Sequence, residues 1–338
     1  MENLDRIRNY LVEPSDALVE KFKDLDGDIL ILGIGGKMGP DMAKMAKNAI
    51  DRAGIKKKVI GVSRFSSGNL RQELEDYGIE TIACDLLEEK ELNSLPDVKN
   101  IIYMAGKKFG TVGSEYLTWA MNAYLPGRVA EKFKNSRIVV FSTGNVYPLT
   151  PVKKGGASEE DPTGPVGEYA QSCLGRERVF EYFSRKYKIP MTFFRLNYAN
   201  DLRYGVLYEI AKAVMEERPI DLSMGHVNII WQGDANEYAL QSLSVAECPP
   251  CILNVTGPET VSIRWLAERL GEGFGKKPVF INQEEDTALL SNASKSHKLF
   301  GYPKVPLRQM IEWQIEWLKA GGEVIDKPTH FQERRGEF

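Results

Sequence analysis

The sequence has few cysteines, few histidines and no long apolar run. Its four cysteines in 338 residues are too few for a disulfide framework, and its three histidines give a zinc site few ligands. No apolar run approaches the roughly 20 residues of a membrane span, and the charged N-terminal stretch MENLDRIRNYLVEPSDALVEKF has no signal-peptide core. These absences predict a soluble, cytoplasmic protein that binds no metal and no membrane.

The chain also has no excess of one charge. Its 44 basic and 47 acidic residues are interspersed and give a net charge of -3, without the basic stripe that nucleic-acid binding needs. A small-molecule partner is therefore favoured over a nucleic acid. Cys248 and Cys251 form a single CPPC motif. A redox pair is one interpretation, but two unpaired thiols beside a buried strand are favoured, because no second ligand pair accompanies them.

Apolar segments of strand length alternate with longer segments of helical period from Asp28 onward. The strand-like segments are DILILG, KVIGV, ETIAC, NIIYMAG, RIVVFS and PMTFFRL. The helical segments between them include MAKMAKNAIDRAG, EYLTWAMNAYLPGRVAEKF and EYAQSCLGRERVFEYFSRKY. This alternation is typical of a parallel sheet covered by helices on both faces. It predicts an α/β fold with a Rossmann-like, doubly wound sheet through about Leu196.

The alternation loosens after Leu196, which predicts a second, smaller unit of mixed α/β structure. VNIIW and CILNV are predicted strands, so residues 227–256 are expected to return to the sheet of residues 1–196. Residues 197–226 and 257–338 would then form a substrate-binding domain. An added amphipathic helix is predicted near the N-terminus, starting at Pro14 and Ser15, and the tail is predicted to be anchored by Phe331 and Phe338.

A glycine-rich turn, LGIGGKMG, follows the first predicted strand and opens a helix. Gly33, Gly36 and Gly39 suit a turn that needs positive φ and lets a diphosphate approach the helix amides, and Lys37 and Met38 lie between the last two glycines. Because the strand and the helix are both in place, dinucleotide binding is favoured over a purely structural turn.

The choice of dinucleotide is predicted from the end of the second strand, VIGVSRFSS. Ser63 stands where a carboxylate would bind the ribose hydroxyls of NAD, and Arg64 follows it. A hydroxyl and a cation accept a 2′-phosphate without charge repulsion, so NADP is favoured over NAD. The alternative is that Arg64 is a solvated surface residue.

Several further motifs occur in the order typical of one enzyme family. They are CDLLE, MAGKKFG, Asn122 in the following helix, FSTGNVYP, EYAQSCLGRE, FRLNY and LNVTGPETVSIRWLAERL. With the glycine turn, they make the chain resemble the extended short-chain dehydrogenase/reductases, and within them the NAD-dependent epimerase/dehydratase family. The resemblance runs nearly end to end, and it implies a Rossmann domain, a sugar substrate and a homodimer.

The resemblance also implies roles for single residues. Thr143 would hydrogen-bond the substrate hydroxyl and Tyr169 would be the catalytic acid/base. The implied cofactor-binding positions are Gly33, Gly36, Lys37, Met38, Gly39, Ser63, Arg64, Asp85, Leu86, Ala105, Gly106, Asn122, Tyr169 and Cys173. The implied substrate-binding positions are Lys107, Asn145 and Asn197.

The sequence departs from the family at Cys173, where the motif Tyr-x-x-x-Lys has its lysine. The two positions share one helix face, so the register is kept while the cation that lowers the tyrosine pKa is missing. Lys107, Lys108 or Arg176 could supply the charge, although each could equally be a solvated surface residue. Other interpretations are a weakly active Tyr169, a thiolate role for Cys173, or a lost active site.

Two functions therefore remain open from the sequence. One is an NAD(P)-dependent sugar epimerase, dehydratase or dehydrogenase, favoured because Thr143 and Tyr169 are both present. The other is a noncatalytic NADP-binding or sensing protein of the same fold. The C-terminal third has no basic cluster for the diphosphate of a nucleotide sugar, and a free sugar or sugar acid is an equally compatible substrate.

Overall fold

A seven-stranded parallel sheet forms the centre of the computed structural model, which describes residues 7–66, 68–325 and 328–337. Its strands are β1 (Ile29–Leu32), β2 (Val59–Ser63), β3 (Glu80–Ala83), β4 (Asn100–Tyr103), β5 (Arg137–Thr143), β7 (Met191–Leu196) and β12 (Cys251–Val255). The strand order is β12-β7-β5-β4-β1-β2-β3, and every pairing is parallel. The predicted doubly wound sheet is confirmed. The order reverses between β1 and β4, which is where such sheets bind ligands.

Helices cover both faces of this sheet and form much of the C-terminal region. The α-helices are α1 (Asp16–Asp24), α2 (Gly39–Ala53), α3 (Leu70–Asp76), α4 (Glu89–Ser94), α5 (Glu115–Trp119), α6 (Leu125–Lys132), α7 (Gly167–Tyr187), α8 (Val206–Met215), α9 (Gln232–Gln241), α10 (Ile263–Phe274), α11 (Ser294–Phe300) and α12 (Leu307–Lys319). One apolar cluster lies between the sheet and helices α1, α2 and α9, and a second lies on the opposite face under α6 and α7.

The helix between β4 and β5 contains a π-helical turn. Residues Ala120–Tyr124 form this turn and join α5 directly to α6, so the three pieces make one continuous helical segment. Such turns usually occur as short insertions in α-helices near functional sites. Asn122 lies within the turn and is fully buried.

The predicted strand VNIIW is wrong as a single strand. His226–Val227 (β10) pairs antiparallel with Val261–Ser262 (β13), and Ile230–Trp231 (β11) pairs with Ala199–Asn200 (β8). The break falls at the buried Asn228, whose Nδ2 donates to Glu259 O (2.9 Å) and whose Oδ1 accepts from Ser291 N (2.8 Å). These hydrogen bonds to residues outside the segment satisfy the side-chain amide of Asn228. Within residues 227–256, the strand that joins the central sheet is β12.

The remaining short strands lie in the region that packs against one end of the sheet. They are β6 (Thr150–Pro151) with β15 (Thr287–Ala288), and β9 (Pro219–Asp221) with β14 (Val279–Ile281). Helices α8, α10 and α12 share an apolar core there that includes Phe331. The predicted anchoring by Phe331 is therefore confirmed, whereas Phe338 lies outside the described residues.

The N-terminal helix starts where the sequence predicts. The Ser15 hydroxyl accepts from Leu18 N at 3.2 Å, which is the usual N-cap arrangement. Leu18, Val19 and Phe22 bury the apolar face of α1 in the core of the sheet. Among the described helices, none is both long and apolar enough to cross a membrane.

Candidate active site

The glycine turn between β1 and α2 contains two glycines that the fold itself requires. A Cβ on Gly33, whose φ is +90°, would lie 2.7 Å from the backbone nitrogen of Ala105 on the neighbouring strand end. A Cβ on Gly39 would lie 2.3 Å from the Ile34 carbonyl oxygen. Both contacts are with backbone atoms that cannot move aside. Gly33 and Gly39 are therefore explained by close packing of this turn.

Gly36 differs from these two, because the protein leaves room for a side chain there. A Cβ on Gly36 would have its nearest contact 3.7 Å away, at Gly33 O, and its φ lies outside the left-handed region. Folding alone therefore does not require glycine at this position. Gly36 lines the cleft at the N-terminus of α2, where free amide groups favour an anion. The turn fits a dinucleotide diphosphate.

The predicted ribose-binding residues lie beside this turn. A Cβ on Gly35 would lie 2.6 Å from Ser63 Oγ, so the hydroxyl at the end of β2 faces the glycines. Arg64 is exposed and, within the described residues, forms no hydrogen bond or ion pair. Asp85 and Leu86 follow the edge strand β3, outside the set of described residues that line the cleft. The Asp85 carboxylate accepts from Leu87 N at 3.0 Å, which supports the local turn.

A cleft of about 550 Å³ opens at the carboxyl ends of β1, β4, β5 and β7. The glycine turn forms one end, with Lys37 and Met38, and the opposite end is lined by Thr143, Asn145, Tyr169 and Asn197. Predicted site residues that are as far apart in the sequence as Gly36 and Asn197 thus line one cleft. Residues that the sequence analysis did not single out for the cleft also line it, and they include Phe109, Tyr198, Tyr204 and Thr329.

Polar side chains of three elements form a hydrogen-bonded chain in this cleft. Asn145 donates to Thr143 Oγ1 from its backbone nitrogen (3.2 Å) and from Nδ2 (3.0 Å). Because the Thr143 oxygen accepts these bonds, its own proton can point to Tyr169, with which it is hydrogen-bonded. Tyr169 is also hydrogen-bonded to Cys173 on the next turn of α7. The order Asn145, Thr143, Tyr169, Cys173 orients the phenol hydroxyl.

Burial raises the pKa of Tyr169 well above its usual value, and the neighbouring Cys173 raises it further. The positive charge of Arg176 opposes this rise. Burial also raises the pKa of the Cys173 thiol, which is 1% exposed and packs against Val146, Tyr147 and Ala157. Both groups are therefore protonated at neutral pH in the described structure, so Cys173 behaves as a small apolar residue rather than a thiolate.

Arg176 points inward from α7 and is 6% exposed. Its Nη1 donates to Phe141 O (2.7 Å) and its Nη2 donates to Asn122 Oδ1 (2.8 Å). A Cβ on Gly106 would lie 2.4 Å from Nη2, so the absence of a side chain at Gly106 makes room for the guanidinium. The interpretation of Arg176 as a solvated surface charge is wrong, because these partners replace its water.

Asn122 links this arginine to the loop after β4. Its Oδ1 accepts from Lys107 N (2.8 Å), and its Nδ2 donates to Lys107 O (2.8 Å) and Ser172 Oγ (2.9 Å). The π-helical turn directs the amide at the loop backbone. Asn122 therefore holds the loop, and with it Lys107 and Lys108, against α7.

The loop places its two lysines differently. Lys108 lines the cleft with its Nζ 5.5 Å from the centroid of the Tyr169 ring, whereas Lys107 lies outside the set of lining residues. Burial lowers the pKa of Lys108 to about 8. Of the two lysines, the structure thus brings Lys108 to the predicted catalytic residue. The sequence motif MAGKKFG contains both lysines and does not indicate which of the two enters the cleft.

Comparison with known proteins identifies the family. The sequence profile of the NAD-dependent epimerase/dehydratase family matches residues 29–199, which span β1 to β8 and include the glycine turn, Thr143 and Tyr169. The chain belongs to this family. The predicted resemblance is confirmed. A comparison with curated protein sequences returned no match.

Solved structures of the family share the fold. A UDP-glucuronic acid 4-epimerase mutant from Bacillus cereus, in complex with UDP-4-deoxy-4-fluoro-glucuronic acid and NAD, has a TM-score of 0.72 and 18% identity over 87% of this chain and 99% of its own. UDP-glucose 4-epimerase from Thermotoga maritima, with UDP-glucose, has a TM-score of 0.69 and 17% identity over the same shares. For dTDP-glucose 4,6-dehydratase from Bacillus anthracis, in complex with NAD, the TM-score is 0.72 and the identity 17%, over 87% and 96%.

Proposed function

We propose that this protein is an NAD(P)-dependent sugar epimerase, dehydratase or dehydrogenase that oxidises a hydroxyl-bearing carbon. The observation that carries the proposal is the hydrogen-bonded chain from Asn145 through Thr143 to Tyr169, which shares one cleft with the glycine turn at Gly36. A tyrosine and a threonine that point to the same position suit proton transfer from a bound hydroxyl. Membership of the family supports the same reaction class.

In the proposed mechanism, the ionised form of Tyr169, which is the minor form at neutral pH, takes the proton from the substrate hydroxyl while Thr143 holds the same oxygen. An oxidised nicotinamide, when bound, would accept the hydride from the carbon that bears this hydroxyl. Asn145 keeps the Thr143 hydroxyl oriented, so the oxygen remains fixed as a ketone forms. Reduction of that ketone from the opposite face gives an epimer, loss of water gives a dehydratase product, and release gives a dehydrogenase product.

Two cations take over the electrostatic role of the missing lysine in this proposal. An ordinary tyrosine titrates near 10, so a base working near pH 7 needs about 4 kcal/mol of help, of which a cation at about 5 Å supplies about 3 kcal/mol at an effective dielectric near 20. Arg176 opposes the rise in the Tyr169 pKa, and the Lys108 ammonium lies 5.5 Å from the Tyr169 ring. Arg176 opposes the rise without cancelling it, and Lys108 adds a second positive charge near the phenol ring.

A first prediction tests whether the glycine turn binds a dinucleotide. Gly36→Ala is expected to weaken NADPH and NADH binding by about 10- to 100-fold, because its Cβ would separate the diphosphate from the helix amides. The free energy of unfolding should change by less than about 1 kcal/mol, since the fold leaves room there. Fluorescence titration and urea unfolding measure the two quantities.

Gly39→Ala is the matched comparison, because its Cβ would meet the Ile34 carbonyl oxygen at 2.3 Å. It should lose both stability and binding. Unchanged nucleotide affinity in Gly36→Ala would contradict a phosphate-binding role for this turn.

A second prediction concerns the preference for NADP, which we propose on the basis of Ser63 and the unpaired, exposed Arg64. Arg64→Ala is expected to raise the Kd for NADPH by about 10- to 100-fold, the value of a charge-assisted hydrogen bond to the 2′-phosphate, and to leave the Kd for NADH unchanged. Arg71→Ala is the control, since that arginine is paired with Glu75 on α3. Equal losses for both nucleotides, or tighter NADH binding by the wild type, would favour NAD.

We also propose a homodimer. Large aromatic side chains are exposed along α5, the π-helical turn and α7: Tyr116 (78%), Tyr124 (59%) and Tyr182 (58%). The helices that carry them pack side by side, because Gly127 on α6 is within 3.4 Å of Val179 and Phe183 on α7 at its Cβ position. An aromatic surface of this kind is typical of a protein interface.

A further inference from the structure

The C-terminal strap, which we define as residues 328–337, borders the cleft at Thr329. Thr329 lines the cavity, where its carbonyl oxygen accepts from Lys108 Nζ at 3.3 Å. The ring of His330 lies 5.7 Å from that of Phe109, and the Tyr198 hydroxyl donates to Phe331 O at 3.3 Å. The strap therefore contacts both the loop after β4 and the segment after β7.

The far end of the strap reaches the start of the helix that carries Tyr169. A Cβ on Gly336 would lie 2.2 Å from Val166 O, and a Cβ on Gly167 would lie 2.3 Å from Gly336 O. Both glycines have positive φ, at +78° and +81°. The two backbones thus touch directly, two residues before Tyr169.

Arg334 and Phe331 anchor the strap to the C-terminal region. Arg334 donates to Ser223 O (3.0 Å), Thr287 O (2.8 Å) and Thr287 Oγ1 (2.7 Å), and it pairs with Glu285 at 2.8 Å. Phe331 is 4% exposed. The buried Phe331 ring and the hydrogen bonds of the Arg334 guanidinium therefore fix the position of the strap.

A buried segment, residues 289–291, packs against the cleft residue Asn197 and its neighbour in space Gly144. Asn197 Nδ2 donates to Leu289 O at 3.3 Å, and Gly144 is approached by Ser291 Oγ, 3.1 Å from its Cβ position. Leu289, Leu290 and Ser291 are all buried. Since the whole cleft has about 550 Å³ and includes the glycine turn, the space left around Thr143 and Tyr169 suits a molecule of one sugar ring.

The groups around this space suit hydroxyls better than a second diphosphate. Thr329 lines the cleft, and its hydroxyl oxygen is buried and, within the described residues, has no hydrogen-bond partner. Asn145 and Asn197 add two amides. Among the described residues that line the cleft, the cations are Lys37 on the glycine turn and Lys108 beside Tyr169. Buried hydroxyls without partners are rare unless a ligand or water satisfies them.

We propose that the substrate is a small polyhydroxylated sugar or sugar acid without a nucleoside diphosphate, and that the strap excludes the larger class. This rests on the proposed function, because it takes Thr143 and Tyr169 as the reacting end of the cleft. In this proposal the strap occupies the space into which a nucleoside attached to the sugar would extend, because it contacts the loop at Phe109 and the segment at Tyr198.

The test uses the full-length protein saturated with NADPH, with UDP and UDP-glucose as calorimetric probes. The wild type is expected to show no binding, meaning a Kd above about 1 mM. In Arg334→Ala, which removes an anchor of the strap on the C-terminal region, and in Gly336→Ala, which disturbs its contact with the start of α7, UDP-glucose should bind at least about 10-fold more tightly. Arg308→Ala, which removes an exposed arginine paired with Glu312, should behave as the wild type. Hydrogen exchange of residues 328–337 reports whether each variant has released the strap.

Each outcome decides the proposal. Wild-type binding of UDP-glucose with a Kd below about 100 μM would overturn it, as would a released strap that leaves nucleotide-sugar binding unchanged. If neither variant releases the strap, the wild-type titration decides alone. Reduction of NADP by a free hexose, hexuronate or hexonate, with none by UDP-hexoses, would support it. Failure to bind NADPH or NADH at all would contradict the proposed function instead, and is measured first.

Discussion

Tyr169→Phe is expected to lower kcat/KM by about 1,000-fold on any substrate that the wild type turns over. The substitution removes the one oxygen that can exchange a proton with the substrate hydroxyl, and positioned acid/base groups contribute about 10²- to 10⁴-fold. The affinity for NADPH should stay within about twofold, because the ring is retained in the same packing. Absorbance of the reduced nicotinamide measures the rate, and fluorescence titration measures the affinity.

Tyr302→Phe is the matched control, because Tyr302 is 72% exposed and lies outside both the cleft and the proposed dimer surface. It should leave both quantities unchanged. The pH profile gives a second readout: since burial raises the pKa of Tyr169, the wild-type oxidation rate should keep rising above neutral pH until other groups titrate. Equal turnover by Tyr169→Phe would exclude this tyrosine as the acid/base. A wild type that binds NADPH but turns over no sugar across pH would favour the noncatalytic alternative.

Glu177→Ala is expected to reduce the free energy of unfolding by about 3 to 5 kcal/mol. Glu177 on α7 is 1% exposed and pairs with the equally buried Arg195 on β7 at 2.6 and 2.9 Å. It also accepts from Ser142 Oγ at 2.5 Å. Removal of one partner leaves the other charge buried without compensation, which is costly whatever the net value of the intact pair. Urea unfolding measures the change.

Glu181→Ala, one turn later on the same helix, provides the comparison. Its side chain is 28% exposed and pairs with Arg178 and Arg185 at the surface. Such pairs contribute about 0 to 1 kcal/mol. A loss below about 1 kcal/mol for Glu177→Ala would mean that Arg195 finds new partners. Because Ser142 precedes Thr143, we also expect Glu177→Ala to disturb the position of Thr143, the residue proposed to hold the substrate oxygen.

Most of the central sheet could be predicted from the sequence because its inner strands are buried apolar segments, whereas the edge strand β3 is only partly buried. Val59–Ser63 and Asn100–Tyr103 are short, apolar and bounded by turns, so local sequence and tertiary position agree. The segment VNIIW does not form the single strand that its apolar residues predict. Its Asn228 side chain instead forms hydrogen bonds with Glu259 and Ser291, which are 31 and 63 residues away. Nothing local in the segment predicts those contacts.

The candidate site also contains residues whose position the sequence predicts and residues whose position it does not. The glycine turn, Thr143 and Tyr169 follow strand ends, so a parallel sheet brings them to one edge whatever the rest of the chain does. The inward direction of Arg176 and the choice of Lys108 over Lys107 depend on Asn122, which acts across 54 and 15 residues. The strap at residues 328–337 depends on contacts with separate segments of the chain, which include residues 108–109, 166–167, 198, 223 and 285–287. Such arrangements arise from tertiary packing and leave no periodicity to recognise.

The π-helical turn at Ala120–Tyr124 has a consequence for how the chain can vary in length. A π turn holds one residue more than an α turn, so it is equivalent to a single-residue insertion in a continuous helix. Removal of one residue there would restore regular helical hydrogen bonding, yet it would rotate the preceding part of the helix by about 100° relative to the following part. Asn122 would then turn away from Arg176 and from the loop of Lys107. Deletions within this helix should therefore be poorly tolerated, although the helix itself would become more regular.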